Sequence, residues 1–235
     1  MTNDTAGDRD LATQLAGIAR MLQRQGDEQA TMDAIVHAAV GTVPGAEHAG
    51  IMTVLGRREI RTVASTGELP CDVDQAQFDT GQGPCLAALY QDRVVSVPDV
   101  AQDERWPLFA DSAAKLEVGS MLSFQLFVQD DDLGALNLYA GEARAFDDES
   151  HHVGNLFAGH AAIALAAAQQ RRHMGEAVQT RDLIGQAKGI LMERHKLSAD
   201  QAFTVLVRTS QLTNTKLRDL AEQLTTTGEL PSVNR

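Results

Sequence analysis

The chain has 235 residues and a hydrophobic fraction of 43%, which suits one or two domains with substantial cores. It contains no run of about 18 apolar residues, and its N-terminal segment is polar and acidic, so we expect neither a transmembrane helix nor a signal peptide. Two cysteines, Cys71 and Cys85, do not make a disulfide framework, and these features together predict a cytoplasmic protein without a membrane partner.

The net charge of −12 is unevenly distributed along the chain. Residues 171–235 hold ten Lys and Arg against seven Asp and Glu and carry +3, which leaves −15 for residues 1–170. Charge asymmetry of this kind indicates contact with nucleic acid. On charge alone, a solvated helical surface explains +3 equally well.

The first elements in chain order are two helices and a hairpin. Apolar residues at helical spacing predict helices at residues 10–25 and 32–39, the second ending at Gly41. Strand patterns follow at 50–55 and 59–65, with a turn signal at Gly56-Arg57-Arg58 between them.

The next elements form a crossover, a second hairpin and a helix. The crossover holds a helix at 71–78, a glycine-rich loop at 80–86, a strand at 94–97 and a helix at 106–116. Strands at 121–128 and 133–140 flank an acidic turn at 129–132, and a helix begins at Asp147. This order predicts an α+β fold, an antiparallel sheet with helices on one side.

Six short motifs lie within these elements: Gly50-Ile51-Met52, Thr80-Gly81-Gln82-Gly83-Pro84-Cys85, Val97-Pro98-Asp99, Trp106-Pro107, Leu133-Gly134-Ala135-Leu136-Asn137-Leu138 and Phe146-Asp147. Together they resemble a GAF domain over nearly all of residues 10–170. The resemblance implies a sensory domain whose ligand lies between the sheet and the crossover. We therefore assign a sensor domain to residues 1–170.

The glycine-rich loop supplies the candidate sensor residues Gly81, Gly83 and Cys85. Backbone N–H groups at a helix start suit an anion, and a helix N-terminus favours the thiolate of Cys85. Glycine-rich turns and free cysteines are also ordinary structural features. The sequence does not match the residue set with which related GAF domains bind cyclic nucleotides. The predicted signal is therefore an unknown small molecule or a redox change.

No motif indicates catalysis or a bound cofactor. His151, His152 and His160 do not place a ligand set on one helix face with a carboxylate or a cysteine. No nucleophile–base pair or carboxylate dyad stands out. We predict no metal site, no cofactor and no enzymatic activity.

Three helical patterns occupy residues 180–224, with inward positions Ile184, Ala187, Leu191, Phe203, Leu206, Val207, Ser210, Leu217, Leu220, Ala221 and Leu224. Ser198 and Gln201 predict a capping box for the second helix, and Thr213-Asn214 predicts the cap of the third. Because Phe203 is assigned to the core, we do not expect bases to stack on an aromatic ring.

The residues that match a known pattern in this segment are Ile184, Ala187-Lys188-Gly189, Leu191-Met192, Ala202-Phe203, Leu206, Ser210, Asn214, Lys216-Leu217 and Ala221. They resemble an ANTAR domain, the RNA-binding output module of transcription antiterminators, so we assign residues 171–235 to this domain. Relatives bind paired RNA hairpins near terminators. The alternatives are a helical bundle for protein docking or dimerisation without RNA activity, and a DNA reader of the helix-turn-helix type.

Six cations are predicted to contact RNA: Arg181, Lys188, Arg194, Arg208, Lys216 and Arg218. Lys188 and Arg208 are the first candidates for RNA contact, because other residues of their helices already fill the core. Phosphate contact would use their charge directly, whereas the alternative role is a solvated surface charge.

A long helix is predicted to join the two domains, because no proline lies between Asp147 and Arg194. Its apolar stripe consists of Val153, Leu156, Phe157, Ala161, Ala164 and Ala168. We expect the first turns to cover the sheet and the later turns to pair with a second copy. The chain is therefore predicted to form a homodimer.

Overall fold

The computed structural model describes residues 4–55, 59–90, 92–128 and 131–231. The helices are α1 (Asp4–Gln23), α2 (Glu28–Thr42), α3 (Glu68–Thr80), α4 (Pro84–Tyr90), α5 (Pro107–Lys115), α6 (Asp148–His195), α7 (Ala199–Thr213) and α8 (Leu217–Thr227), with a short 3-10 helix at Val100–Gln102. The strands are β1 (His48–Leu55), β2 (Glu59–Ser65), β3 (Val94–Val97), β4 (Ser120–Val128) and β5 (Asp131–Ala140). The chain divides into two compact units, Met1–Gln170 and Arg171–Arg235.

The five strands form one antiparallel sheet in the order β2-β1-β5-β4-β3. The predicted α+β class and the long helix are confirmed, and β2 and β3 begin and end at the predicted residues. The turn at Gly56-Arg57-Arg58 and the first half of the acidic turn, 129–130, lie outside the described residues.

Helices cover both faces of the sheet, so the expectation of helices on one side is wrong. On β5, Leu136 and Leu138 join a core cluster with α1, α2 and the start of α6. Ala135 and Tyr139 point the other way and join a cluster with α3, α4 and α5. Alternation along the strand produces these two apolar faces, and the helices of the crossover bury the second one.

Most of the predicted apolar stripe on α6 is buried in the core of the first unit. Val153, Phe157, Ala161 and Ala164 are at most 5% exposed and belong to the core on the α1–α2 face of the sheet. Leu156 is 37% exposed. Ala161 and Ala164 are therefore covered by their own sheet and helices, and pairing of the later turns of α6 with a second copy stays a prediction.

The second unit packs its helices around a small apolar core made of Ala187, Leu191, Ala202, Leu206, Leu220, Ala221 and Leu224. The capping box of α7 is confirmed: Gln201 N–H donates to Ser198 Oγ at 3.2 Å, and Ser198 N–H donates to Gln201 Oε1 at 2.9 Å. These two bonds satisfy N–H groups that have no partner inside the helix.

Asn214 ends α7 and does not cap α8. Its φ of 50° is left-handed, and its N–H donates to the carbonyl of Ser210. Asparagine tolerates this conformation better than most residues, which makes it a suitable helix terminator. The N-cap of α8 is Lys216, which makes no side-chain capping bond.

Among the described residues, no helix is both long enough and apolar enough to cross a membrane.

Candidate functional site

The second unit carries an open groove of about 790 Å³ built from α6, α7 and the first turn of α8. Its lining residues are His173, Glu176, Ala177, Thr180, Arg181, Ile184, Gly185, Lys188, Asp200, Phe203 and Arg218. Arg181 and Lys188 lie seven residues apart on α6 and therefore on one face, two turns apart. A Cβ on Gly185 would meet nothing within 4 Å, so the groove is open at this position.

Phe203 lies in this groove and not in the core, so its assignment to the inward stripe is wrong. The side chain is 41% exposed, whereas Ala202 and Leu206 are fully buried. Ala202 and Leu206 are one turn apart and define the inward face of α7, and Phe203 projects beside that face. The Lys188 Nζ atom is 5.8 Å from the centroid of its ring.

Three cations line the groove together with the exposed ring: Arg181, Lys188 and Arg218. Within the part of the chain that the structure describes, no carboxylate is within ion-pair distance of any of them. Two acids also line the groove, but Glu176 lies 3.6 Å from Arg172 in an ion pair. The groove therefore presents three cations that make no ion pair with the described residues, and Asp200 and an aromatic ring share its lining.

The other three predicted cations do not line this groove. The guanidinium of Arg194 donates to the carbonyl of Gly228, the residue that ends α8, so this side chain holds two helices together. Arg208 and Lys216 are exposed on α7 and at the start of α8. The structure thus gathers Arg181, Lys188 and Arg218 at one place and leaves Arg194, Arg208 and Lys216 outside it.

The first unit contains a buried polar cluster between the sheet and the crossover helices. Tyr139 on β5 donates from its hydroxyl to Asp74 Oδ1 at 2.7 Å, and Thr62 on β2 donates to Asp74 Oδ2 at 2.5 Å. Gln77 Nε2 donates to the sulfur of Cys85 at 2.8 Å, and that sulfur is 3.6 Å from Asp74 Oδ1. Asp74, Gln77 and Cys85 are fully buried, as is Tyr139.

Burial shifts the protonation of this cluster toward its neutral forms. It raises the pKa of the Asp74 carboxyl from 3.8 to about 6, against the hydrogen bonds from Thr62, Tyr139 and Cys85. It also raises the pKa of the Cys85 thiol well above its usual range, and the charge on Asp74 raises it further. Loss of solvation therefore disfavours a thiolate of Cys85 at this helix start.

The two glycines of the loop have distinct structural roles. Gly81 ends α3 with a φ of 64°, and a Cβ there would meet nothing within 4 Å. Gly83 has a φ of 145°, and a Cβ there would lie 2.2 Å from Gln77 Oε1. That oxygen accepts the N–H of Cys85 at 2.9 Å. Gln77 therefore takes the N–H group of Cys85 that the loop was predicted to offer to an anion.

Asn137 on β5 lies on the same face of the sheet as Tyr139. It pairs across the sheet with Gly50 and Ser123 and is fully buried. Among the described residues, neither polar atom of its side chain has a hydrogen-bond partner. Such groups are rare in folded proteins, since burying an amide without a partner costs about 1–3 kcal/mol.

Reasoning from the sequence did not identify Asp74, Gln77, Asn137 or Tyr139 as site residues. Asp74 and Gln77 look like ordinary polar positions of an amphipathic helix, three residues apart. Asn137 carried a usable signal, because it interrupts the apolar run of a strand. In the described parts of the chain, no group of three or more His, Cys, Asp or Glu side chains is arranged to hold a metal ion.

The chain thus combines an α+β unit that contains a buried polar cluster with a helical unit that carries a basic groove. The chain belongs to the GAF domain family, whose model matches residues 25–166, and residues 172–224 match the ANTAR domain model. Both predicted resemblances are confirmed. GAF domains are sensory, and ANTAR domains form an RNA-binding antitermination family. This combination of domains is that of a regulator.

Solved structures with the same fold include two GAF domains of phosphoenolpyruvate-protein phosphotransferases. The Acinetobacter domain has a TM-score of 0.55 at 13% identity, covering 74% of this chain and 99% of that one. The Coxiella burnetii domain has a TM-score of 0.54 at 14% identity, covering 69% and 96%. Identities this low show the fold alone.

A third similar structure is the photosensory core module of the Stigmatella aurantiaca phytochrome. It has a TM-score of 0.60 at 11% identity, covering 91% of this chain and 46% of that one. This chain therefore matches less than half of the phytochrome module. A comparison with curated protein sequences found no match.

Proposed function

We propose that the protein is a signal-responsive, RNA-binding antitermination regulator acting on transcripts in the cytoplasm. In this proposal residues 1–170 sense the signal and residues 171–235 bind paired RNA hairpins. The observation that carries the proposal is the groove of the ANTAR domain, where Arg181, Lys188 and Arg218 share the lining with an exposed aromatic ring.

The charge of the groove suits a nucleic-acid backbone. A cation without a carboxylate partner attracts phosphate without first breaking an internal ion pair, and phosphate binding releases counterions. Arginine also forms bidentate hydrogen bonds with phosphate oxygens. Affinity that depends steeply on salt follows from these contacts, whereas docking of an apolar protein partner would lack that dependence.

The proposed sensor site is the polar cluster of the first unit. The side chain of Asn137 offers one donor and one acceptor without partners, next to a strand that carries Ser123. A small molecule with both hydrogen-bonding functions would satisfy the two groups. A ligand of this kind explains the cluster better than redox chemistry, because burial keeps the thiol of Cys85 protonated.

Substituting Ile163 by glutamate is expected to convert a proposed homodimer into a monomer. The Ile163 side chain on α6 is 58% exposed, and Leu156 lies two turns before it on the same face. In the proposed dimer these two side chains pack against a second copy, and a buried carboxylate would oppose that pairing. Light scattering of the full chain measures the mass of both proteins.

The matched control is Leu108→Glu, because Leu108 is 57% exposed on α5 of the same unit. It introduces the same charge at an equally exposed apolar position and should leave the dimer intact. A parent protein that is monomeric at micromolar concentration contradicts the dimer. A dimeric Ile163→Glu protein places the interface elsewhere.

Lys188→Ala is expected to weaken binding to a paired-hairpin RNA roughly tenfold, since it removes a charge-assisted contact. The dependence of log affinity on log salt should fall by about one. Fluorescence anisotropy of labelled RNA at about 50 and 200 mM salt measures both quantities. Lys196→Ala is the control, because Lys196 is exposed, pairs with Glu193 at 2.9 Å and lies outside the groove.

The same titration with a single hairpin and with duplex DNA tests the function as a whole. Preference for the paired hairpin supports the proposal. Equal or tighter binding to duplex DNA favours a DNA reader. No binding to any nucleic acid by the full chain or by its 171–235 fragment would leave a docking or dimerisation bundle as the better account.

A further inference from the structure

We propose that Phe203 is a stacking surface for one unpaired RNA base, held in the groove of the second unit. The inference rests on the proposed RNA-binding function and specifies which part of the RNA enters the groove. A nucleotide within an RNA chain offers the aromatic face of its base to the ring and a phosphate on each side to the cations. Paired bases keep their faces covered within the helix, so the predicted ligand is an unpaired nucleotide of a hairpin loop.

The first argument is the position of the ring. Phe203 is 41% exposed, although fully buried residues precede it at Ala202 and follow it at Leu206. A single exposed apolar side chain is common on protein surfaces. This one faces a groove of about 790 Å³, which has room for a planar group beside the ring.

The second argument is the presence of two small residues among the α6 residues that line the groove. Gly185 and Ala177 line the groove, and a Cβ on Gly185 would have open space around it. Glycine in the middle of a helix costs stability, up to about 1 kcal/mol relative to alanine. Here its small size lets a ligand approach the backbone of α6 while it contacts the ring on α7.

The third argument is the arrangement of charge around the ring. Lys188 Nζ is 5.8 Å from the ring centroid, and Arg181 and Arg218 line the same groove from α6 and α8. Cations at this distance are attracted to the face of an aromatic ring, and they also attract phosphates. A nucleotide in the groove would place its base on the ring and its phosphates near the two arginines.

The test compares Phe203→Leu and Phe203→Tyr with the parent, all as full-length proteins. Leucine retains apolar volume without an aromatic face, and tyrosine retains the face. On a paired-hairpin RNA, Phe203→Leu should lose affinity on the order of tenfold to a hundredfold, while Phe203→Tyr stays within about twofold of the parent. The salt dependence should be the same for all three, because no phosphate contact changes.

A second probe is the same RNA with single loop nucleotides made abasic. One abasic position should weaken binding by the parent as much as Phe203→Leu does, and should not weaken binding by Phe203→Leu further. The inference is overturned if the parent binds the RNA with steep salt dependence and Phe203→Leu, shown to be folded by circular dichroism, binds equally well. In that case RNA binding itself still stands. If the parent binds no RNA, both proposals fail.

Discussion

Gly83→Ala is expected to destabilise the first unit by about 3 kcal/mol. The residue has a φ of 145°, which an L side chain adopts only under strain. Its new Cβ would also lie 2.2 Å from Gln77 Oε1 and 2.6 Å from Gln77 Cδ. Moving that amide would break its two bonds to Cys85 and leave a buried N–H group without a partner.

Gly81→Ala is the matched control two residues earlier. Its φ of 64° is also left-handed, but a Cβ there meets nothing within 4 Å, so only the conformational cost of about 1 kcal/mol remains. Trp106 is the only tryptophan and packs against the cluster that contains Cys85, so its fluorescence during urea unfolding reports the first unit. Equal losses in the two variants would show that contact with Gln77 contributes nothing.

The periodicity of the sequence predicted most of the elements. Strands β2 and β3 are bounded by turn residues, so both ends were predicted correctly. The strand β1 begins two residues before its predicted start, and α3 extends beyond 71–78 at both ends. Ends of elements depend on capping and on tertiary contacts, which leave a weaker trace in the sequence than the repeat of apolar residues does.

The candidate site was less predictable, because neighbouring helical positions decide it. Phe203 and Ala202 differ by one residue, or about 100° around the helix, and both fit an apolar stripe. Hydrophobicity favours Phe203, the larger side chain, for the core. In the structure the core of the second unit contains Ala202 instead. The residue with the most chemical interest in the second unit was therefore placed on the wrong face.

The buried polar cluster was missed for a different reason. Asp74 and Gln77 are charged or polar residues on a short amphipathic helix, where solvent exposure is the usual outcome. Their burial depends on Thr62 and Tyr139, which are distant in sequence and reach them only after the sheet has formed. Single-sequence periodicity holds no information on such partners.

Asp74→Asn is expected to make the first unit more stable than the parent by about 3 kcal/mol near neutral pH. Burial raises the pKa of the Asp74 carboxyl from 3.8 to about 6, so over this window the folded protein holds a proton that the unfolded chain has released. The parent therefore loses stability as the pH rises from about 4 to about 6, and the full cost is present above that. Asparagine does not titrate, and its amide can accept from Tyr139 and donate to the hydroxyl of Thr62.

Urea unfolding followed through Trp106 at about pH 4.5 and about pH 7.5 measures the difference between Asp74→Asn and the parent. Other carboxylates titrate in both proteins and cancel in that difference, among them Asp103, whose pKa is lowered by Arg105. Asp72→Asn removes the same charge from the exposed face of α3 and should change stability by less than about 0.5 kcal/mol at either pH. The difference for Asp74→Asn should grow with pH, because only the parent must bury a carboxylate. A difference that stays constant between the two pH values would mean that Asp74 does not titrate in this window, and the cluster would then be held in one charge state throughout.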